Sequence, residues 1–227
     1  GDRTFCNCSS LESITIPDSV TSIGTDAFYG CSSLVNIEIP DGVTSIGEYA
    51  FYDCSSLVNI EIPDGVTNIG DYTFTGCGSL KSIKIPDGVS SIGNHAFFGC
   101  SLLESIEIPD SVTSIGEYAF CNCRSLESIK IPDGVSSIEN HTFYYCSALE
   151  CITIPDSVTL IGIQAFMYCR SLITVYYGGN AADWAEISIG FNNTPLTSAT
   201  IYYSATQPAG AGNDWHYAAD GVTPVVW

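Results

Sequence analysis

The chain contains few positive charges. Only six of its 227 residues are Lys or Arg, whereas 25 are Asp or Glu, which gives a formal net charge of −19 at pH 7. Nucleic acids and anionic lipid surfaces are bound through clusters of Lys and Arg, because these side chains neutralise phosphates. The composition therefore argues against a nucleic acid or an acidic membrane surface as the partner.

Long apolar stretches and catalytic motifs are also lacking. No run of apolar residues approaches the ~20 that a helix needs to cross a bilayer, so we expect no membrane insertion. The sequence contains no G-x-S-x-G, no Walker loop, no dinucleotide fingerprint and no H-E-x-x-H, which mark common enzyme classes. We therefore expect a protein that is not an enzyme and that needs no cofactor.

Ile-Pro pairs recur along most of the chain at one spacing. The pair occurs seven times, each time 23 residues after the last, from residues 16–17 to residues 154–155. A fixed period of this length is typical of a solenoid, in which each repeat forms one coil and contacts only its neighbours. The chain is thus predicted to be a solenoid whose repeats do not fold alone.

Within one repeat, polar and apolar residues alternate before the proline. In the third repeat, strand alternation turns Ile60 and Ile62 inward, while Asn59 and Glu61 point out of the sheet. Pro63 then ends the strand, because it has no N–H to donate. Each coil is predicted to contribute one short strand to a parallel sheet.

The aligned repeats read C-x-S-L-x-x-I-x-I-P-D-[GS]-V-[TS]-x-I-G-x-x-[AT]-F. This pattern resembles the BspA-type, or treponemal-type, leucine-rich repeats of bacterial surface proteins, and the resemblance covers residues 4–177. SLxxIxIPDxVxxIGxxAF is found at residues 10–28 and 33–51, and at residues 56–74 with Thr73 in place of Ala. The resemblance implies a leucine-rich-repeat solenoid of 23-residue repeats, with a parallel concave β-sheet and an irregular convex side.

The period stops after Tyr177, and the rest of the chain divides in two. We assign residues 1–177 to the solenoid, residues 178–203 to a C-terminal cap, and residues 204–227 to a linker and a small β-hairpin tail. The cap is predicted to contain a short helix capped near Asn180 and a closing strand, because the last coil would otherwise leave its core open. The hairpin is predicted to turn at Asp220-Gly221.

Eight of the 11 cysteines share one repeat position, from Cys8 to Cys169. This column runs parallel to the solenoid axis with neighbours about 4.8 Å apart, so it cannot surround a metal ion. We interpret it as a ladder of inert core thiols, with disulfide or metal chemistry as the alternative. Cys151 lies outside the column, at an outward sheet position, and is predicted to be the most exposed thiol.

Seven aspartates directly follow the Ile-Pro pairs, from Asp18 to Asp156. Pro-Asp-Gly and Pro-Asp-Ser are turn sequences in which the Asp side chain accepts local backbone hydrogen bonds. Carboxylates about 5 Å apart also repel by roughly 0.8 kcal/mol per pair in water, and calcium could relieve that repulsion. We favour the turn role and expect no bound metal ion, with calcium as the alternative.

Two histidines, His95 and His141, share a repeat position with Tyr118 and two earlier tyrosines. Neither histidine has a fixed acid or nucleophile beside it in the repeat. We interpret both as aromatic variants on the outer face and expect no catalytic residues.

Two columns of mostly polar side chains are expected to point outward from the concave sheet. The first comprises Ser13, Asn36, Asn59, Ser82, Ser105, Ser128, Cys151 and Thr174, and the second comprises Thr15, Glu38, Glu61, Lys84, Glu107, Lys130, Thr153 and Tyr176. The second column contains three Glu and two Lys, a charge of −1, so most of the −19 lies elsewhere. Solenoids present concave sheets to ligands. The candidate binding residues are Asn59, Glu61, Lys84, Glu107 and Lys130. The alternative is a solvated surface on which the alternating charges pair with each other.

The resemblance implies a non-catalytic binding or adhesion protein, extracellular or on a bacterial cell surface, whose partner is a protein or glycan of a host or neighbouring cell. One alternative is a structural spacer of a larger surface protein. In that case the partner would be bound by the tail, through Trp215, Tyr217 and Trp227. Another is an immune-receptor-like or cytoplasmic scaffold, which many free thiols would suit. Gly1 falls inside a repeat, so we expect sequence upstream of it, including any signal peptide.

The first coil makes a separate prediction. Residues 4–16 form a partial coil with no polar cap in front of it. Because an exposed apolar coil end favours stacking against another molecule, we expect weak self-association through these residues.

Overall fold

A computed structural model describes residues 1–204, 214–218 and 223–226. The chain winds into stacked coils, and each coil contributes one strand to a parallel concave sheet. These strands are β1 (Ser13–Thr15), β3 (Asn36–Glu38), β5 (Asn59–Ile60), β6 (Ser82–Lys84), β8 (Ser105–Glu107), β10 (Ser128–Lys130), β12 (Cys151–Ile154), β14 (Thr174–Tyr177) and β16 (Thr200–Ser204). Paired residues lie 23 positions apart, as in Ser13 and Asn36. The predicted solenoid is confirmed.

A second row of two-residue strands follows the first in most coils. It comprises β2 (Ser22–Ile23), β4 (Ser45–Ile46), β7 (Ser91–Ile92), β9 (Ser114–Ile115), β11 (Ser137–Ile138), β13 (Leu160–Ile161) and β15 (Ser188–Ile189). A turn separates the two rows, and it is closed by the backbone: in the third coil, the Val66 N–H donates to the Pro63 carbonyl at 3.0 Å. The proline thus ends one strand and positions the next.

One phenylalanine per coil forms the centre of the core. Eight rings from Phe5 to Phe166 stack in a continuous ladder, with neighbouring ring centroids 5.3 to 5.6 Å apart. Phe28 and all later members are buried, whereas Phe5, at the end of the described ladder, is half-buried and stacks on Phe28 alone. Each inner ring is therefore buried by the neighbouring coils, and for this reason we expect that a repeat does not fold alone.

The residues after Tyr177 form one further, enlarged coil. Helix α1 (Ala181–Ala185) begins after Asn180, whose side chain accepts the N–H groups of Ala182 and Asp183, and Asp183 accepts the Asn180 N–H in return. The sequence did not predict helix α2 (Thr194–Ser198), which buries Leu196. Strands β15 and β16 continue both rows in parallel, and the β14–β16 register spans 26 positions, from Thr174 to Thr200.

The tail adds two strands, β17 (Asp214–Tyr217) and β18 (Pro224–Val226). Strand β17 pairs in parallel with β16 and antiparallel with β18. We call strands β17 and β18 together the ribbon. The predicted turn at Asp220-Gly221 and most of the predicted linker, residues 205–213, lie outside the described residues. Among the described helices, none is long and apolar enough to cross a membrane.

Candidate functional site

The structure places four of the five candidate residues on the exposed concave sheet. Asn59, Glu61, Lys84 and Glu107 are exposed, and Lys84 lies directly opposite Glu107 on the neighbouring strand. Within the described parts of the chain, none of these side chains forms an ion pair within 4 Å or a side-chain hydrogen bond. The charges of the column are therefore available to a partner, since they do not pair with each other at that distance.

Exposure falls sharply along both columns towards the C-terminal coils. Ser128 is exposed, but Lys130, Cys151 and Tyr176 are only half-exposed, and Thr153 is buried with 7% of its surface accessible. The equivalent residues of every earlier coil are exposed. The difference arises because the ribbon lies over the last coils of the concave sheet.

Two aromatic side chains attach the ribbon to the sheet. Trp215 is 2% exposed, its indole N–H donates to the Tyr177 carbonyl at 2.8 Å, and its ring centroid lies 5.4 Å from that of Tyr176. Tyr217 packs edge-on against Trp215 at 4.8 Å and lies 5.2 Å from the Lys130 ammonium. Such a cation–π contact contributes about 0.5–2 kcal/mol, more when water is excluded.

The neighbourhood of Tyr217 is partly desolvated and acidic. Burial raises the pKa of Tyr217 to about 12, and the carboxylates of Asp133 and Asp110 add to the increase. Asp110 also forms an ion pair with Lys130, with Oδ1 and Nζ 3.6 Å apart. Lys130 is therefore held between an aspartate and an aromatic ring, which distinguishes it from the other candidate residues.

Between the ribbon and the middle coils lies an open groove. Its volume is about 740 Å³, Lys84 and Glu107 lie towards one end, and Lys130 and Pro224 line the end near the ribbon. This volume is within the range of ligand-binding clefts. The concave sheet and the tail, which the sequence suggested as competing binding sites, therefore form one surface.

Seven of the eight cysteines of the column are buried and hydrogen-bonded, and the eighth, Cys8, is exposed. From Cys31 to Cys169, each thiol donates to the carbonyl oxygen of the phenylalanine 26 residues earlier, with sulfur–oxygen distances of 3.0 to 3.2 Å. Burial raises the pKa of Cys54 and Cys169 to about 12. Because the thiolate is the reactive form, these cysteines are inert at neutral pH.

The prediction that Cys151 is the most exposed thiol is wrong. Cys8 is exposed, whereas Cys151 is half-buried. Cys8 lies in the coil at the N-terminal end of the structure, and Cys151 lies on the last coils of the concave sheet, in the groove that Pro224 of the ribbon also lines. Burial raises the pKa of Cys151, which lowers its reactivity further.

The predicted role of the aspartate column in local hydrogen bonding is also wrong. All seven carboxylates are exposed, and within the described residues none accepts a hydrogen bond from the turn that follows its strand. The backbone closes these turns itself, so the side chain is not needed. The described residues contain no group of three or more His, Cys, Asp or Glu side chains that could hold a metal ion.

The two histidines belong to an aromatic column on the outer surface. Tyr49, Tyr72, His95, Tyr118 and His141 stack with centroid distances of 4.3 to 4.6 Å. Partial burial lowers the pKa of His95, although the nearby Asp71 and Glu117 carboxylates oppose the change. Their stacking accounts for both histidines as members of a structural ladder.

Comparison with known proteins finds one matching family. Six copies of the BspA type Leucine rich repeat region match the chain, over residues 1–104 and 90–207. Among curated proteins, none is similar enough in sequence to match.

Several solved structures share the fold. A leucine-rich repeat protein of T. pallidum is 32% identical, with a TM-score of 0.64 over 71% of this chain and 78% of that one. A leucine-rich cell surface protein of Faecalibacterium prausnitzii A2-165 is 32% identical, with a TM-score of 0.59 over 81% of this chain and 64% of that one. A Bacteroides ovatus leucine-rich repeat protein is 29% identical, with a TM-score of 0.59 over 86% and 64%. The chain spans less than two thirds of the last two.

Proposed function

Because the chain belongs to the BspA-type leucine-rich repeat family, which includes bacterial surface proteins, we propose that it is a non-catalytic binding or adhesion protein. Its concave sheet would bind a protein or glycan of a host or neighbouring cell. The cell-surface description of the F. prausnitzii relative supports an extracellular location.

One observation supports this role above the others. Asn59, Glu61, Lys84 and Glu107 are exposed along neighbouring strands without ion pairs among themselves, and Lys84 and Glu107 line a groove that Pro224 of the ribbon also lines. Regular polar side chains about 4.8 Å apart allow a partner that spans several coils to sum many modest contacts. The ribbon beside this groove would also limit where such a partner lies.

The alternative is a spacer whose tail alone binds the partner. It has less support, because the Trp215 side chain is almost fully buried against Tyr176 and the Tyr177 carbonyl. Tyr217 is half-exposed, but its ring contacts Lys130 of the concave sheet. Both aromatic residues therefore pack onto the concave sheet, and the third residue of this alternative, Trp227, lies outside the described residues.

The test compares two sets of five substitutions to alanine. The first set replaces Asn59, Glu61, Lys84, Glu107 and Lys130. The control set replaces Asn68, Lys81, Glu104, Glu127 and Arg170, which are exposed, lie outside the two columns and remove the same number of charges of each sign. A partner is first identified with a glycan array and a pull-down from extracellular matrix, and its dissociation constant is then measured for both variants.

We expect the first variant to bind at least 100-fold more weakly and the control to bind within about threefold of the parent, because a few central residues dominate an interface. The control should melt close to the parent, since surface substitutions usually change stability by less than about 0.5 kcal/mol each. The first variant should lose about 0.5–2 kcal/mol more, because Lys130 contacts Tyr217. Parent-like binding by the first variant would contradict the proposal.

A further inference from the structure

Two segments of the concave sheet have the same sequence. Residues 82–92 and residues 128–138 both read SIKIPDGVSSI. The segments lie two coils apart, so Lys84 and Lys130 occupy the same position of the same column, about 10 Å from each other along the sheet. The local backbone and the residues that follow each lysine are therefore alike.

The second segment is occupied by the chain itself. Tyr217 of the ribbon lies over the Lys130 ammonium, and the same ammonium pairs with Asp110 of the preceding coil. Asp110 and Asp133 are the two carboxylates that act on the Tyr217 hydroxyl. The sheet thus binds a tyrosine at Lys130. This lysine has Asp133 on its own coil and Asp110 on the preceding coil.

The first segment has the same groups but no occupant among the described residues. The equivalents of Asp110 and Asp133 are Asp64 and Asp87, and both are exposed. Lys84 is exposed and forms no ion pair within 4 Å in the described parts of the chain. Lys84 and Lys130 both line the groove in front of the ribbon, so the two sites are continuous.

We propose that Lys84, with Asp64 and Asp87, is a second copy of the Lys130 site and binds a tyrosine side chain from an extended polypeptide segment of a partner protein. This inference rests on the proposed function and names the partner class. The ribbon carries the argument, because it shows that the sheet accepts an extended polypeptide whose ring covers a lysine of this column. A cation over an aromatic ring is attractive in itself and gains strength when water is excluded.

The probe is a fluorescent peptide with the sequence of residues 214–227, titrated with the full chain. Saturable binding of one peptide per chain is expected. Lys84→Gln should weaken it about tenfold, as should replacement of the peptide tyrosine that corresponds to Tyr217 by alanine. Lys81→Gln removes an exposed lysine outside the two columns and should change the affinity by less than twofold.

Lys130→Gln shows whether the peptide displaces the ribbon and binds at Lys130, because only such binding should be weakened by this substitution. Binding that is lost in Lys130→Gln but kept in Lys84→Gln would overturn the proposal, and so would the absence of saturable binding up to millimolar concentration. The proposed function is tested separately. A partner that binds the five-alanine variant weakly but binds Lys84→Gln as well as the parent would preserve that function and overturn this inference.

Discussion

The Lys130 ammonium lies 5.2 Å from the centre of the Tyr217 ring. Lys130 belongs to the solenoid and Tyr217 to the tail, and 87 sequence positions separate them. This contact, together with the hydrogen bond from Trp215 to the Tyr177 carbonyl, places the ribbon across the last concave coils. The middle coils thus present a free surface, and the last coils present one that is already covered.

The phenylalanine ladder predicts a gradient of stability. Phe97→Ala should lower the free energy of unfolding by about 3–5 kcal/mol, because a fully buried ring leaves a cavity when it is removed. Phe5→Ala should cost clearly less, because Phe5 is half-buried and has a ring neighbour on one side. Urea denaturation followed by circular dichroism measures both. If both substitutions lowered the free energy of unfolding equally, the stacked phenylalanine rings would not be the continuous core of the solenoid.

His95 predicts a specific dependence of stability on pH. Burial lowers its pKa in the folded state below the ordinary value near 6.5, so the unfolded chain binds the proton more tightly. The contribution of neutral His95 to stability is thus present above about pH 6.5 and is lost as the pH falls through 6.5 towards the lowered pKa.

His95→Tyr keeps an aromatic ring in the column and removes this titration. Between pH 7.5 and pH 5, the parent should therefore lose stability relative to the variant, as measured by urea midpoints at both values. If the difference between parent and variant stays the same at the two pH values, the pKa of His95 is not lowered in the folded protein.

The aspartate column predicts a substitution that stabilises the protein. Asp64 accepts no hydrogen bond from its turn, and Asp41 and Asp87 lie about 5 Å away on the neighbouring coils. Asp64→Asn should raise the free energy of unfolding by about 0.5–1 kcal/mol, because it removes two carboxylate repulsions. The gain should shrink in 1 M salt, which screens them.

Destabilisation by Asp64→Asn would show instead that the carboxylate supports the turn. Millimolar calcium, followed by a chelator, serves as the companion measurement. We expect no saturable change in melting temperature, whereas a cation bound only to the folded state would raise it.

The repeats made most of the fold predictable. The 23-residue period and the alternation around Ile60 and Ile62 indicated stacked strands, since each inward residue meets its equivalent in the next coil. The same local pattern could not indicate α2, because Thr194–Ser198 belongs to the enlarged coil, where the period has stopped. Nor could it show that the turns need no help from aspartate side chains.

The candidate site was predictable only in part. Outward positions such as Asn59 and Glu61 follow from strand alternation, and the structure places them on the exposed sheet. The ribbon's position does not follow, because the contact between Tyr217 and Lys130 is tertiary and has no sequence period. Trp215 and Tyr217 are two positions apart, so their rings lie on the same face of a strand. This spacing was the sequence pattern that indicated an apolar face of the tail that packs against another surface.

The labelling rate of Cys151 tests most directly whether the ribbon and the concave sheet form one surface. Trp215→Ala removes the buried ring and its hydrogen bond to Tyr177, so the ribbon should leave the sheet and expose Cys151. With a thiol reagent and mass spectrometry, Cys151 should react at least ten times faster in the variant, while the exposed Cys8 keeps its rate and the column from Cys31 to Cys169 stays unlabelled. An unchanged rate at Cys151 would show that the ribbon does not cover the concave sheet.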